Sequence, residues 1–352
     1  MRAAAAAGYR VIAADAFCDA DTRQAAAQAM QLGYMRGGFD AGDLRKRLFS
    51  LLAQAGGFVY GSGFETQPEL LDEIARLCPL LGNSAQTVSL AKDPGRFSPL
   101  LSRLGIPFPA TSLTPPAASK GWLRKRIGGS GGTHVLPAMQ EGETDCYYQR
   151  LAPGKPYSLL FLADGKSARA VGYNQQLLAP EVAMPYRYGG VVSRAELPQQ
   201  VRSELLQAAQ QLTAELRLRG LNSLDCMVDR DRFQVLEINP RLSASFALYD
   251  AVNQGAHLFE AHLRACADEL AMDFPPEPAQ AHLIYYAPFD LTVPVMPEWP
   301  GWVADVPLGA TRIQVGEPVC MVMASAHDAQ DAMALAQMRV AELTQRITNF
   351  WM

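Results

Sequence analysis

None of the six cysteines, at positions 18, 78, 146, 226, 266 and 320, forms a Cys-x-x-Cys pair, and none stands with a histidine at zinc spacing. That excludes a disulfide scaffold and a structural zinc site, and leaves small buried thiols in a reducing compartment. The five histidines lack metal spacing too, since His257 and His262 are five apart and fall off one helical face. Each reads as a surface or hydrogen-bonded histidine. Positive charge is not in excess, with 31 Lys and Arg against 35 Asp and Glu and a net charge of -4. A chain without a basic footprint is not expected to bind nucleic acid. No apolar run approaches the ~20 residues of a membrane span. The alanine-rich start is cut by Arg10 and Asp15 and lacks a cleavage-like end, so it does not read as a secretion signal and a cytoplasmic location is expected. There is no internal repeat and no Ser/His/Asp or Cys/His order for nucleophilic catalysis. What is present, 352 residues with 49% hydrophobic and 19% charged, suits a globular protein of two or three domains.

The first ninety residues alternate helix-like and strand-like segments. Helix is expected at 1–7, 22–32, 41–55 and 68–77, and strand at 10–14 and 57–60, the latter running into the loop Gly61-Ser62-Gly63-Phe64-Glu65. This alternation predicts a doubly wound parallel α/β unit. After a helix at 97–104, short strands at 121–126, 133–138 and 146–151 predict a small antiparallel unit. Strands resume at 158–163 and 168–178, followed by a long amphipathic helix at 199–218. A hairpin joins 222–228 to 233–238, and a helix follows at 257–270. A proline-rich joint at 273–278 leads to a β-rich tail that ends in a helix at 329–347.

Two constellations could carry chemistry. The first is Lys125-Arg126-Ile127-Gly128-Gly129-Ser130-Gly131-Gly132-Thr133, between two predicted strands. Glycines let backbone N–H groups converge on phosphate, and a lysine beside them adds charge. The lysine precedes the glycines, so this is not a P-loop, and a strand follows, so it is not a dinucleotide fingerprint. The second is Asp225 with Glu237-Ile238-Asn239-Pro240-Arg241. Glu237 and Asn239 are two apart on a strand and share a face. A three-residue hairpin loop would set Asp225 opposite Glu237, and a two-residue loop would set it opposite Leu236. The first register is expected because it also gives Leu236 apolar partners. Two carboxylates and an amide oxygen then form a hard-oxygen site suited to Mg²⁺ shared with substrate phosphates, and Arg241 lies just beyond for a phosphate or carboxylate.

The order of these motifs, with a Tyr147-Tyr148-Gln149-Arg150-Leu151 strand between them, resembles the ATP-grasp superfamily across residues 90–270. The branch that it resembles most is the predicted ATP-dependent carboligases related to biotin carboxylase. Their front-end pattern is seen here as Gly8-Tyr9-Arg10-Val11 through Asp15, Phe17, Asp19, Asp21 and Thr22. The resemblance implies an ATP-grasp α/β fold. Its parts would be an N-terminal parallel α/β domain at 1–90, an antiparallel lid at 91–152, a catalytic α+β domain at 153–275 and a β-rich C-terminal extension at 276–352.

The resemblance also implies the cofactors ATP and Mg²⁺, or Mn²⁺ in its place. Lys92 and Lys125 would grip the phosphates under a mobile loop of Gly128, Gly129, Ser130, Gly131, Gly132 and Thr133. Gln149, Arg150 and Leu151 would form the hinge strand whose backbone reads adenine. Asp225, Glu237 and Asn239 would hold the metal, with Lys125 and Arg241 acting on the transferred phosphoryl group. Tyr188-Gly189-Gly190 resembles a flexible loop beside the acceptor site. The implied activity is an ADP-producing carboxylate–amine ligase that forms an acyl phosphate from small-molecule substrates. Some members of the branch belong with the biosynthesis of methanopterin- or methanofuran-type one-carbon coenzymes. A carboxylase that activates bicarbonate, or a nucleotide-binding module without turnover, are the rival readings, and a homodimer is compatible with all of them. Two departures stand out. No carboxylate follows the hinge to hold the ribose, where the sequence reads Gly154-Lys155-Pro156-Tyr157-Ser158, and Arg126 stands where proline is common. The family's first strand and loop would precede this chain's first helix, so the natural protein is expected to start ~10–20 residues earlier.

Overall fold

The apolar stretch from Ser158 to Ala163 forms the middle of strand β9, buried on both faces. Such a strand needs a layer on each side, and the computed structural model supplies both. It describes residues 1–35, 37–138, 144–249, 255–270, 278–295 and 298–350. Before β9, the front unit runs α1 (Arg2–Ala6), β1 (Ile12–Asp15), α2 (Ala20–Ala25), β2 (Gln28–Gln31), β3 (Tyr34–Met35), β4 (Gly38–Phe39), α3 (Ala41–Leu52) and α4 (Glu69–Ala75). Helices α5 (Ala85–Lys92) and α6 (Pro94–Arg103) lead to a four-stranded antiparallel sheet. It is built from β5 (Thr111–Ser112), β6 (Trp122–Arg126), β7 (Leu136–Pro137) and β8 (Cys146–Arg150), in the order β5-β8-β6-β7.

The large sheet starts with β9 (Lys155–Asp164), β10 (Ala168–Leu178) and β11 (Tyr188–Val192). Helix α7 (Gln199–Leu216) precedes the hairpin β12 (Arg219–Asp229) and β13 (Arg232–Asn239), and α8 (Gly255–Cys266) follows. The tail consists of β14 (Ala279–Tyr286), β15 (Leu291–Thr292), β16 (Val303–Ala304), β17 (Arg312–Ile313), β18 (Pro318–Ala326) and α9 (Ala329–Phe350). Eight strands pair antiparallel in the order β13-β12-β9-β10-β11-β14-β18-β16, so the tail extends the same sheet that carries β9.

Helix α7 covers one sheet face because its apolar residues recur at helical spacing. Val201, Leu205, Ala208, Leu212 and Leu216 are buried against Leu159, Phe161, Leu224, Val235 and Ile238. It stops at Arg217, which adopts a left-handed conformation. Helix α8 covers the other face, with Leu258, Ala261 and Ala265 against Leu160, Leu162 and Leu221.

The front unit departs from expectation. The helix expected at 22–32 ends at Ala25, and residues 28–31 form β2, parallel to β1. Alanine and glutamine are good helix formers, but pairing of Gln28 through Gln31 with Ile12 through Asp15 overrides that preference. Segment 57–60 makes one parallel bridge, Phe58 with Leu80, in place of a strand. Helix α5 was not foreseen. Ser84 caps it by accepting the Thr87 N–H, and it ends on Lys92. The proline-rich joint lies outside the described residues except for Pro278. All six cysteines are unpaired, and no described helix is long and apolar enough to cross a membrane.

Candidate active site

The hairpin β12–β13 is where register matters most. Its loop has two residues, Arg230 and Asp231, because Asp229 pairs with Arg232. Counting back without interruption would set Asp225 against Leu236. The strands do not count evenly. Cys226 pairs with Val235 and Asp225 with Glu237, so Leu236 is the extra residue of a β-bulge. The expected pairing is therefore reached by a different route from the expected three-residue loop. The bulge also resets the period-two alternation. Val235 and Ile238 are buried in the core, whereas Leu236 and Glu237 both line a cavity.

That cavity, about 570 Å³, lies between the small sheet and the hairpin. It gathers residues scattered from 91 to 237 along the chain. Lys92 comes from the end of α5, Lys125 from β6, Gly128, Gly129, Gly131 and Gly132 from the following loop, and Gln149, Arg150 and Leu151 from the end of β8. Asn239 and Arg241 join through hydrogen bonds to these groups. Ser130 is half-buried beside Tyr34 of the front unit, and Thr133 is exposed. A wider hollow of about 1230 Å³ borders β10, β11 and α9 and contains none of these residues.

The polar groups interlock. Lys92 Nζ donates to Glu237 Oε2 at 3.0 Å and to Asn239 Oδ1 at 2.7 Å, and Asn239 Nδ2 donates to Asp225 Oδ2 at 3.1 Å. Asp225 Oδ1 is buried with no partner among the described residues. Burial and the neighbouring Glu237 carboxylate push Asp225 well above the carboxylate range. Burial would raise Glu237 as well, but Lys92 and Lys125 outweigh it and hold Glu237 below the ordinary carboxylate value. One member of the pair thus stays ionised while the other carries an unsatisfied oxygen. An ammonium already rests among these oxygens, and Asp225 keeps one buried oxygen without a hydrogen-bond partner among the described residues. The donor set therefore fits a hard divalent cation held jointly with phosphates. Among the described residues no group of three His, Cys, Asp or Glu side chains is placed to hold a metal, so a cation at this point would take the Asn239 oxygen beside the two carboxylates.

Lys125 is buried, and its Nζ donates to Gln149 Oε1 at 2.7 Å. Burial lowers its pKa, against the pull of Glu237 and Asp225. The glycine loop has close neighbours on two sides. The Tyr188 N–H donates to the Gly131 carbonyl at 3.0 Å, and a Cβ on Gly128 would sit 3.0 Å from the Glu65 carbonyl oxygen. Gly132, at φ +72°, lies so close to the Tyr186 carbonyl that no side chain could fit.

Four partners were not read from the sequence. Glu65, at the end of the Gly61-Ser62-Gly63-Phe64-Glu65 loop, accepts from Arg241 Nε at 2.6 Å and from the Gly63 N–H at 2.7 Å. Burial would raise its pKa, but Arg241 and Lys92 hold it below the ordinary carboxylate value. The loop lies where a doubly wound unit places ligands, which was the available signal. His134 lines the cavity rather than the surface, with Nδ1 buried and unpartnered, and burial lowers its pKa to about 4. Gln176 stands beside Asp225, and Tyr34 beside Ser130. A second histidine also departs from expectation, because His282 is buried with neither ring nitrogen bonded among the described residues. The Tyr188-Gly189-Gly190 segment is not a loop. It lies in β11, clamped between β10 and β14, with Leu177 and Leu283 flanking Gly190.

Residues 94–245 match the family model described as an ATP-grasp domain. No curated protein matches the sequence. Among solved structures, the chain is similar to the biotin carboxylase domain of Hydrogenobacter thermophilus 2-oxoglutarate carboxylase, a structure that contains magnesium ADP and bicarbonate. Identity is 13%, coverage 93% of this chain and 83% of that one, and the TM-score 0.70. It is similar to N5-carboxyaminoimidazole ribonucleotide synthetase from Thermotoga maritima at 14% identity, with coverage of 97% and 93% and a TM-score of 0.69. The L-amino acid ligase of Bacillus licheniformis gives 12% identity, coverage of 95% and 98% and a TM-score of 0.67. At such identities the likeness is one of fold, and it runs from the front unit through the tail. The family match covers the small sheet and the hairpin that build the cavity, and the likeness of fold to ATP-grasp enzymes extends beyond it on both sides.

Proposed function

We propose that this protein is an ATP-dependent carboxylate–amine ligase that works through an acyl phosphate. The observation that carries the reading is the pairing of Asp225 with Glu237 across the bulged hairpin, with Asn239 beside them, on the wall of a cavity shared with Lys125 and the glycine loop. The base of ATP would lie among Leu123, Val135, Leu178, Met227 and Leu236, which supply apolar wall. The N–H groups of Arg150 and Leu151 already donate to the Ala110 and Gly121 carbonyls. The Ala152 N–H, next along the cavity wall, is therefore assigned to the base edge.

Asp225, Glu237 and Asn239 would hold Mg²⁺, which when bound offsets negative charge on the phosphates. Lys92 would then exchange its carboxylate and amide partners for phosphate oxygens. Lys125 and Arg241 would neutralise charge on the γ-phosphoryl oxygens as they move, and Glu65 fixes the Arg241 guanidinium. The substrate carboxylate attacks the γ-phosphorus and ADP leaves. The amine then attacks the acyl carbon and inorganic phosphate leaves. No side-chain nucleophile is needed. The front-end stretch from Gly8 to Thr22 supports a finer assignment, amino-acid ligation in the assembly of a methanopterin- or methanofuran-type coenzyme.

The test is ADP release with Mg²⁺-ATP across carboxylate and amine pairs, with hydroxylamine added to trap an acyl phosphate as its hydroxamate. A productive pair should yield ADP, phosphate and a hydroxamate, and Glu237→Gln should abolish all three in a folded protein. ADP release sustained by bicarbonate without an amine would indicate the carboxylase reading. Nucleotide binding with no turnover across the screen would indicate a binding module.

A further inference from the structure

The cations around the cavity are not equally compensated. Lys92 has Glu237 and Asn239, Lys125 has Gln149, and Arg241 has Glu65. Arg126 has no carboxylate partner among the described residues, and its Nε is buried without a hydrogen bond. A buried guanidinium donor left unpaired is costly, so a site that keeps one is built for an anion that arrives from outside.

Its direction narrows the choice. Lys125 turns to Gln149 inside the nucleotide cavity. Arg126 reaches toward the front unit, where its Nη2 lies 3.9 Å from the position of a Cβ on Gly37, in the β3–β4 turn. Tyr34 of the same hairpin stands beside Arg126, Arg241 and Glu65 and hydrogen-bonds Ser130 of the glycine loop. Arg126 therefore lines the cavity at its mouth toward the front unit, near where Arg241 and Glu65 meet.

We propose that Arg126 anchors a second carboxylate on the acceptor, one that is not phosphorylated, so that the carboxylate substrate is a dianion. This rests on the ligase reading above. The Nε and Nη2 edge of a guanidinium matches a carboxylate in bidentate fashion, which an ammonium cannot do. Gly37 leaves the approach to that edge open, since a side chain there would stand in contact with it.

The experiment is calorimetric titration of the full chain, saturated with MgADP, with glutarate and with butyrate. Glutarate should bind at least tenfold more tightly than butyrate. Arg126→Ala should erase that difference, and Arg126→Lys should restore only part of it, with MgADP affinity unchanged in both variants. Retained MgADP binding also reports that the variants are folded. Equal binding of the two probes by the unsubstituted protein overturns the proposal. So does a loss of MgADP affinity in Arg126→Ala that matches the loss for glutarate, since Arg126 would then be a phosphate ligand. Failure of the unsubstituted protein to bind MgADP overturns the ligase reading and this proposal together.

Discussion

Lys125 is a buried ammonium whose one hydrogen-bonding partner among the described residues is a neutral amide, at 2.7 Å. Taking that charge out of water costs several kcal/mol unless an anion is supplied. On the ligase reading, a nucleotide triphosphate would supply it. Lys125→Met should therefore weaken binding of a magnesium-bound, non-hydrolysable ATP analogue by about 10- to 100-fold. It should leave the melting temperature unchanged or raise it, because an under-compensated charge is replaced by an apolar chain of similar length. Titration calorimetry and thermal melts measure the two effects separately, and unchanged nucleotide affinity would return the glycine loop to the role of a structural turn. Lys125, Asp225 and Glu237 were legible in the sequence because their chemistry is carried by neighbours on the same strand or hairpin. Glu65 was not. Its meaning comes from Arg241, 176 residues away, and a lone glutamate in a glycine loop gives no hint of that contact. His134 was hidden for a related reason. The packing of its ring against Gly129 depends on how the loop folds back, and its spacing from other histidines carries no information about that.

Among elements, the hairpin and the front unit show where pattern reading succeeds and where it stops. Strand β10 and helix α7 follow from local periodicity, and their observed limits, Ala168–Leu178 and Gln199–Leu216, lie close to those expected. The pairing of Asp225 with Glu237 was also anticipated, but the bulge at Leu236 was invisible, since a bulge is a decision between two strands rather than a property of one. Strand β2 was masked by alanines and glutamines that suit a helix, and only its partner β1 makes it a strand. The glycine loop bears on function at this scale. Its described anchors are few, chiefly the Tyr188 N–H on the Gly131 carbonyl and the contact of Gly128 with Glu65, while Gly131 itself is exposed. A segment of four glycines in five residues loses much freedom on ordering and has no large side chain to anchor it, although Gly128 and Gly129 are buried. Amides of residues 128–133 should exchange with solvent readily in the free protein and become protected when MgADP binds. Equal exchange in both states, measured by mass spectrometry, would remove the lid role.

At the scale of the whole molecule, the front unit is joined to the large sheet by buried polar contacts. Asn83 donates to the Asn222 side chain at 2.8 Å and to the Pro240 carbonyl at 2.9 Å, and accepts from the Arg219 N–H at 2.8 Å. His262 completes the joint from α8. Its Nδ1 accepts from the Leu221 N–H at 2.9 Å, and its Nε2 lies 3.1 Å from the Leu81 carbonyl, so the ring is neutral with the proton on Nε2. Protonating Nδ1 would break the contact to Leu221 and place a charge in a site that is 1% exposed. Burial accordingly lowers the pKa of His262 to about 4, and does the same for His282, which is buried in β14 between β11 and β18. Both values lie below the ~6.5 of an unfolded chain, so the unfolded state takes up protons first. The stabilisation from keeping these rings neutral is complete above pH ~6.5, declines as the pH falls, and is lost by pH ~4. Each histidine then forfeits on the order of 3 kcal/mol, a large share of the ~5–15 kcal/mol that holds a typical domain together. Denaturant titrations at fixed temperature should show these histidines lowering the unfolding free energy between pH ~6.5 and ~4, partly offset by Asp225 and Asp305, whose raised pKa values let the folded state take up protons first. His262→Gln, which can still donate to the Leu81 carbonyl, should flatten that slope by about one proton per molecule. A slope unchanged by His262→Gln would mean that this joint does not sense acid, and that the loss of stability arises among the carboxylates instead.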